Sequence, residues 1–441
     1  MPASTPARRR LLLCLGLAGL LGAPGGALAQ ASAAPAAAGA AAAVQGVAVA
    51  IGGALRNENE AVWRQLVQLS GGPGTTWVVL GTASESPQSS ADNAARQLRQ
   101  RGAVVHTLPV SPLLKERPVA EAVRDPALIA QVRAARGVFF TGGSQDRIVA
   151  SLLPGGQASP LLQAIWELYR AGGVVAGTSA GAAIMSATMF VDAPDVVGVL
   201  KGQLREGHEF GRGLGFVGPA LLVDQHFLKR GRIGRLLPLM QRTGYMLGLG
   251  VEEDSAAAVR GTQVEMLGGQ AVLVDLAEAR SDAAAGAFNL QGARVSLLDA
   301  GDRLDLATRR FTPVAHKARG QVYDPAAPGY KPYNTLQPFD VDWLANGVLA
   351  TRMGQLIDAS YTEVRGLSFD PRGGAGGAGG AGEARAALGF EWRLYKAPGS
   401  IGWTSPEGGD EDYSVHRLGL DVHPVRMAQP LHTPWAPVPA R

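Results

Sequence analysis

Along the first half of the chain, short runs of apolar, often β-branched residues alternate with longer stretches whose apolar positions recur at helical spacing. Val47–Ile51 ends in the pair Gly52-Gly53, and Glu58–Leu69 then repeats apolar residues with the period of an amphipathic helix. The alternation continues through strand Thr76–Leu80, helix Ser89–Arg101, strand Ala103–Leu108, helix Pro126–Ala135, strand Gly137–Thr141, helix Ser159–Arg170 and strand Gly173–Ala176. These strands are mostly continuous in apolar residues, as expected when both faces of a parallel sheet are covered. The pattern predicts an α/β fold with a doubly wound, mostly parallel sheet. Ligands of such sheets bind beyond the carboxyl ends of the strands, so the residues just after each strand are the ones to read for chemistry.

From about Gln263 the pattern changes. Gln263–Leu267, Gly268-Gly269 and Ala271–Asp275 read as a β-hairpin, and Gly389–Tyr395 and Val415–Val425 as further short strands. A glycine/alanine repeat near residues 373–382 reads as a mobile loop. The expected division is an α/β domain over 45–280 and a β-rich C-terminal extension over 281–441. Whether the extension packs on the α/β core or stands as a small domain is left open by the sequence.

Composition narrows the class. With 46% hydrophobic and 18% charged residues in 441, the chain is not disordered. Residues 1–29 carry Arg8, Arg9 and Arg10, an apolar run Leu11–Leu21 and the small-residue site Ala27-Leu28-Ala29 before Gln30. This is the pattern of a cleaved signal peptide, by the general or the twin-arginine route, and the apolar run is short for a membrane span. Ala-rich residues 30–44 read as a linker. The protein is therefore expected to be secreted or periplasmic, with no stable membrane association after cleavage. Without the three leader arginines, 38 basic residues face 37 acidic ones, which leaves no global field for nucleic acid or an anionic membrane. The single cysteine, Cys14, lies in the leader. The mature protein is thus expected to have no disulfide, thiol nucleophile or zinc–thiolate site, and no metal or cofactor is expected at all.

Several strand ends carry candidate chemistry. Gly177-Thr178-Ser179-Ala180-Gly181 directly follows a strand, and Ala182–Met189 after it reads as helical. A sharp strand-to-helix turn of small residues projects a serine, with the Ala180 N–H as the natural oxyanion donor. A serine needs a base. His226 ends the apolar run Ala220–His226, whereas His106, inside a strand, reads as a hydrogen-bonded core histidine. An acid should orient the imidazole, and Glu252, Glu253 and Asp254 stand together after another strand, any one of them a candidate. Gly142-Gly143 in Phe140–Asp146 exposes backbone N–H groups suited to an anionic oxygen. Arg230, Arg232 and Arg235 follow His226 and suggest a carboxylate-binding pocket.

At these residues the chain resembles the cyanophycinases, within the serine-peptidase family that also contains aspartyl dipeptidase. The matching elements are Gly142-Gly143-Ser144-Gln145, Gly177–Ala182, Asp224–Leu236 and Gly248–Ser255, in the same order and spacing. The resemblance covers roughly residues 45–280 well and the tail loosely. It implies a fold similar to class I glutamine amidotransferases and a Ser–His–Glu triad: Ser179 attacking, His226 as base then acid, Glu253 orienting it. By the same resemblance Gly143 and Ala180 supply oxyanion N–H groups, and Gln145, Asp224, Gln225, Arg230, Arg232 and Arg235 line the substrate cleft. The implied partner is cyanophycin, a polyaspartate with arginine on each β-carboxyl. The implied reaction is that of a serine exopeptidase which passes through an acyl-enzyme and releases β-aspartyl-arginine dipeptides. A homodimer is a further family-level expectation.

The chain also departs from that pattern. Glu252 stands where the family often has aspartate, Ser144 replaces a common acidic residue, and the tail is longer. These changes bear on substrate preference more than on chemistry. Two other functions remain: an exported aspartyl or isoaspartyl peptidase, and a polymer-binding protein without catalysis.

Overall fold

The structure is a computed structural model and describes residues 46–371, 387–405, 412–428 and 431. The expected signal peptide 1–29 with Cys14, the linker 30–44 and the glycine-rich stretch 373–382 lie outside the described residues.

Five parallel strands form the predicted core: β1 (Val47–Ile51), β2 (Thr76–Leu80), β3 (Val104–Leu108), β4 (Gly137–Phe140) and β5 (Val174–Thr178). Their order is β3-β2-β4-β5-β1, with helices crossing between them. Because side chains alternate across a strand, one face of this sheet puts Val78, Val138 and Val175 into one apolar core. The other face puts Trp77, Phe139 and Val174 into a second. The helices that cover these faces are capped as their sequences suggest. Asn59 accepts from the Val62 N–H ahead of Glu60–Leu69, and Ser159 accepts from the Leu162 N–H ahead of Pro160–Arg170.

β6 (Thr188–Phe190) and β7 (Phe210–Arg212) form a small antiparallel pair. Then β8 (Leu221–Gln225) and β9 (Leu247–Val251) pair in parallel and begin a second sheet. The chain returns to the first sheet with β10 (Ala256–Arg260), antiparallel to β1, and β11 (Gln263–Gly268), antiparallel to β10. β12 (Ala271–Asp275) goes to the second sheet against β9, and β13 (Leu290–Leu298) pairs with β12. The expected hairpin between Gln263–Leu267 and Ala271–Asp275 is therefore not formed. β11, with alternating burial, belongs beside β10, whereas the fully buried β12 needs the interior of the other sheet. The Gly268-Gly269 turn, with Gly269 at φ +63°, carries the chain between sheets.

The remaining strands extend both sheets. β14 (Arg303–Asp305) and β15 (Arg310–Thr312) prolong the first to nine strands among the described residues. β16 (Gln321–Tyr323), β17 (Phe339–Asp340), β18 (Glu363–Ser368), β19 (Leu388–Tyr395), β20 (Ile401–Thr404) and β21 (Tyr413–Arg426) join the second, in the order β8-β9-β12-β13-β21-β19-β18-β17 with β20 on β21 and β16 on β20. The β-rich C-terminal region thus packs on the α/β core by continuing its sheets.

Two smaller expectations change. β3 is the edge of its sheet, so His106 faces solvent rather than the core. The helix after Ser179 spans only Ala180–Ala183, because Thr188–Phe190 is taken by β6.

Glycines mark the tightest packing. A methyl group at Gly250 in β9 would lie 2.2 Å from the Phe227 ring, whereas one at Gly329 meets nothing within 4 Å. Gly250→Ala should lower stability by about 1–3 kcal/mol through overpacking, and Gly329→Ala should stay within about 0.5 kcal/mol of the parent. Chemical denaturation of the two variants checks the contrast.

Candidate active site

The first sheet presents Ser179 directly after β5. Its backbone sits at φ +54° and ψ −109°, a conformation that costs a non-glycine residue about 1–3 kcal/mol and must be held by its surroundings. The neighbours explain how. A Cβ at Gly177 would lie 2.3 Å from the Gly181 carbonyl oxygen, and one at Gly181 would lie 2.6 Å from that of Phe140. Only glycine permits this turn, and the Ser179 N–H donates to the Ile51 carbonyl at 2.9 Å.

The second sheet presents His226 after β8 and the acidic run Glu252-Glu253-Asp254 after β9. His226 is also at positive φ, +49°, and its N–H donates to the Gly52 carbonyl at 2.7 Å. Asp254, at φ +54°, donates its N–H to the Gly53 carbonyl at 2.8 Å. Three successive carbonyls at the end of β1 therefore hold three turns that come from two sheets. Gly52 and Gly53 allow the approach: a Cβ at Gly52 would lie 1.9 Å from the Glu252 carbonyl oxygen, and one at Gly53 would lie 2.2 Å from the His226 ring. Sequence reasoning noted this glycine pair without giving it a task. Its place after a buried strand was the available signal.

These turns bring three side chains into line. Ser179 Oγ lies 2.8 Å from His226 Nε2, and His226 Nδ1 lies 2.6 Å from Glu253 Oε1. A hydroxyl, an imidazole and a carboxylate in this order have the geometry of a nucleophile, its base and the group that orients the base. The other two acids do different work. Glu252 Oε2 accepts from the backbone N–H groups of Leu228 and Lys229, at 2.5 and 2.9 Å, and so ties the His226 turn to its own. Asp254 accepts from the Arg56 backbone N–H and from the Arg56 and Asn59 side chains, fixing the loop before the first helix.

Gly142 and Gly143 lie against the serine. A Cβ at Gly142 would be 3.2 Å from Ser179 Cβ, and one at Gly143, which has φ +140°, would be 2.0 Å from the Ala83 carbonyl oxygen. The Gln145 amide donates to the Phe190 and Val191 carbonyls at 2.9 and 2.8 Å, so its nitrogen is already used and its oxygen is what remains for a ligand.

The polar run after β8 is more internal than its sequence suggests. Asp224, 1% exposed, holds Arg235, 3% exposed, through two hydrogen bonds of 2.5 and 2.8 Å. Arg235 also donates to the Ala193 carbonyl and lies over the Phe190 ring. Arg232 is buried, donates to the carbonyl and the side-chain oxygen of Gln225, and has its guanidinium pulled down to about 10 by burial. Arg230 alone of the three arginines is exposed. Among the described residues no group of three or more His, Cys, Asp or Glu could hold a metal ion.

Burial lowers the proton affinity of His226 below the ordinary histidine value of 6.5; the hydrogen bond that its Nδ1–H donates to Glu253 opposes this, and the charges of Arg230 and Arg232 add to it. The imidazole is therefore neutral at pH 7, as a base must be. In an NMR titration His226 should protonate below pH 6.5. Glu253→Gln should move the midpoint lower still, because it removes the group that favours the imidazolium. A midpoint at or above the ordinary value would contradict the burial argument.

Comparison with known proteins places this site in context. Residues 48–267 match the family model described as Peptidase family S51. A cyanophycinase of Trichormus variabilis is 33% identical over 198 residues, covering 43% of this chain and 63% of that one. A cyanophycinase of Geminocystis herdmanii is 31% identical over 189 residues, covering 41% and 65%. The chain thus spans somewhat under two thirds of the length of these relatives. A crystal structure of a peptidase from an acI-B1 Actinobacterium aligns with 59% of this chain and 97% of its own, at TM-score 0.42 and 19% identity. Residues 48–267, which hold Ser179, His226 and Glu253, are thus a region of the peptidase family S51 type.

Proposed function

We propose that this protein is an exported serine peptidase that hydrolyses cyanophycin to β-aspartyl-arginine dipeptides. The observation that carries the reading is the hydrogen-bonded line from Ser179 through His226 to Glu253 in a region of this family type. The names of its relatives support the substrate, and the arginine-rich leader with its small-residue cleavage pattern supports export.

In this reading Ser179 Oγ attacks the carbonyl carbon of an α-peptide bond between two aspartates while His226 Nε2 takes its proton. Glu253 holds the imidazole with Nδ1 protonated and stabilises the imidazolium. The carbonyl oxygen becomes an oxyanion, met by the N–H groups of Ala180 and Gly143. With only four residues in the helix behind Ser179, these individual N–H groups matter more than a helix dipole. Collapse breaks the C–N bond, and His226 gives its proton to the leaving amine. A water, deprotonated by His226, then cleaves the acyl ester and regenerates Ser179. Arg230, exposed beside the base, is the cation that meets substrate carboxylates. Arg232, Arg235, Asp224 and Gln225 hold the strand end from within.

Incubating the mature protein with insoluble cyanophycin and identifying products by mass spectrometry tests the reading. β-Aspartyl-arginine is the expected product. Release from aspartyl dipeptides alone would point to the other peptidase substrate, and co-sedimentation without products would point to a binder. Ser179→Ala should lose several orders of magnitude in turnover yet still bind polymer. Glu253→Gln should lose about 10³–10⁴-fold with the fold unchanged, since the imidazole then adopts the wrong tautomer. EDTA should leave the rate unaltered; loss of rate, restored by added metal, would contradict the mechanism.

A further inference from the structure

A cavity of about 660 Å³ adjoins the turns that carry His226 and Glu253. Part of its wall is Leu228 and Glu252, the pair whose hydrogen bond joins those turns. Most of the rest comes from the C-terminal region, beyond the stretch shared with the family. One face of the helix Val348–Ile357 contributes Ala350, Gly354 and, just past its end, Asp358, at the four-residue spacing of a shared helix face.

The chemistry of this wall is of one sign. Among the described residues it contains the carboxylates of Glu252 and Asp358 and no lysine, arginine or histidine. Asp358 is 2% exposed and lies at the carbonyl end of its helix, where the helix adds negative potential. It accepts the Tyr333 N–H at 2.9 Å and the Tyr413 hydroxyl at 3.2 Å. Burial nevertheless pushes its carboxyl above the ordinary carboxylate range, a cost that a bound cation offsets. Lys396 acts on Asp358 through space, but its ammonium binds the Tyr330 hydroxyl and the Ala359 carbonyl. The rings of Tyr323, Tyr333 and Tyr413 complete the wall. Tyr323 and Tyr413 lie 5.9 Å apart at 41°, and Gly354 leaves room for the second, since a Cβ there would be 2.8 Å from Tyr413 Cδ2. A planar cation that stacks on rings and hydrogen-bonds to a carboxylate in its plane is a guanidinium.

The proposed substrate needs such a site, because each of its residues carries a guanidinium. Asp224, the acid that the resemblance puts in the substrate cleft, already holds Arg235 in the interior. We propose that the cavity between Glu252 and Asp358 is a guanidinium subsite, built by the C-terminal region, that holds an arginine side chain of the polymer while a nearby bond is cut. The substrate named here rests on the peptidase reading; the class of ligand rests on the cavity alone.

Agmatine, a guanidinium without a carboxylate, is the probe. It is titrated by calorimetry into the full chain carrying Ser179→Ala, alone and combined with Asp358→Asn or with Ala350→Phe. Asp358→Asn removes the charge. Ala350→Phe fills the cavity and leaves every hydrogen bond of Asp358 in place, and near-ultraviolet circular dichroism checks that both variants are folded. Binding to the parent that weakens at least tenfold in both is expected. With Ser179 intact, Asp358→Asn should raise KM for cyanophycin at least tenfold, keep kcat within twofold and leave KM for polyaspartate unchanged. No agmatine binding to the parent, or equal binding by folded variants, overturns the assignment. If agmatine behaves as expected and no polymer is cut, the subsite stands and the peptidase reading falls. If polymer is cut with unaltered KM and agmatine affinity is unchanged in Asp358→Asn, the peptidase reading stands and the subsite falls.

Discussion

Three consecutive carbonyl groups at the end of β1 hold the backbone on which the site depends. Ile51 accepts from Ser179, Gly52 from His226 and Gly53 from Asp254, and all three donors stand at positive φ without being glycine. None of these conformations is stable by itself. Each is stabilised by the same strand end, so the three turns are positioned relative to one another rather than separately. The hydroxyl–imidazole–carboxylate line follows from that shared anchor. It spans two sheets, because β5 belongs to one and β8 and β9 to the other. A side chain at position 52 or 53 would strike Glu252 or His226, which is why the anchor is a glycine pair.

The charges around the line are arranged on the same principle. In Glu252-Glu253-Asp254 only the middle acid faces the imidazole. Its neighbours take up backbone N–H groups on either side, Leu228 and Lys229 for one and Arg56 for the other. Since the neighbours are bound to donors elsewhere, Glu253 is the acid left for the imidazole. Beneath His226, Asp224 and Arg235 neutralise each other out of solvent. Removing one member of such a pair typically costs about 3–5 kcal/mol, because the other is left charged and buried. These buried groups therefore fix the strand end, while Arg230, outside them, keeps its charge available.

Much of this was legible in the chain. The core strands β1 to β5 read correctly because strands buried on both faces are continuous in apolar residues, and Ser179 stood out because small residues surround it after such a strand. Pairing partners were less legible. β11 and β12 look like a hairpin, since a two-glycine turn between apolar runs carries no record of which sheet each run enters. His106 looked internal because strand pattern does not reveal an edge, and β3 is one. Asp224 and Arg235 looked like ligand groups because a sequence shows charge but not whether that charge is already matched eleven positions away.

The C-terminal region shows what such long-range pairing adds. β13 and β21 extend the sheet that begins with β8 and β9, so the region is bonded through the ladder to the strands that carry His226 and Glu253. A separate domain on a flexible link would leave its surfaces free to move against the site. A continuous sheet does not, because sliding one strand by a single residue would turn every buried side chain outward. The helix Val348–Ile357 packs on this same sheet, with Met353, Leu356 and Ile357 in the core it shares with Phe227 and Leu228. Its polar face is thereby held at a fixed distance from the His226 turn. A helix face positioned that rigidly is suited to selecting a ligand by shape and charge, and across the cavity it meets Leu228 and Glu252 of the strained turns themselves.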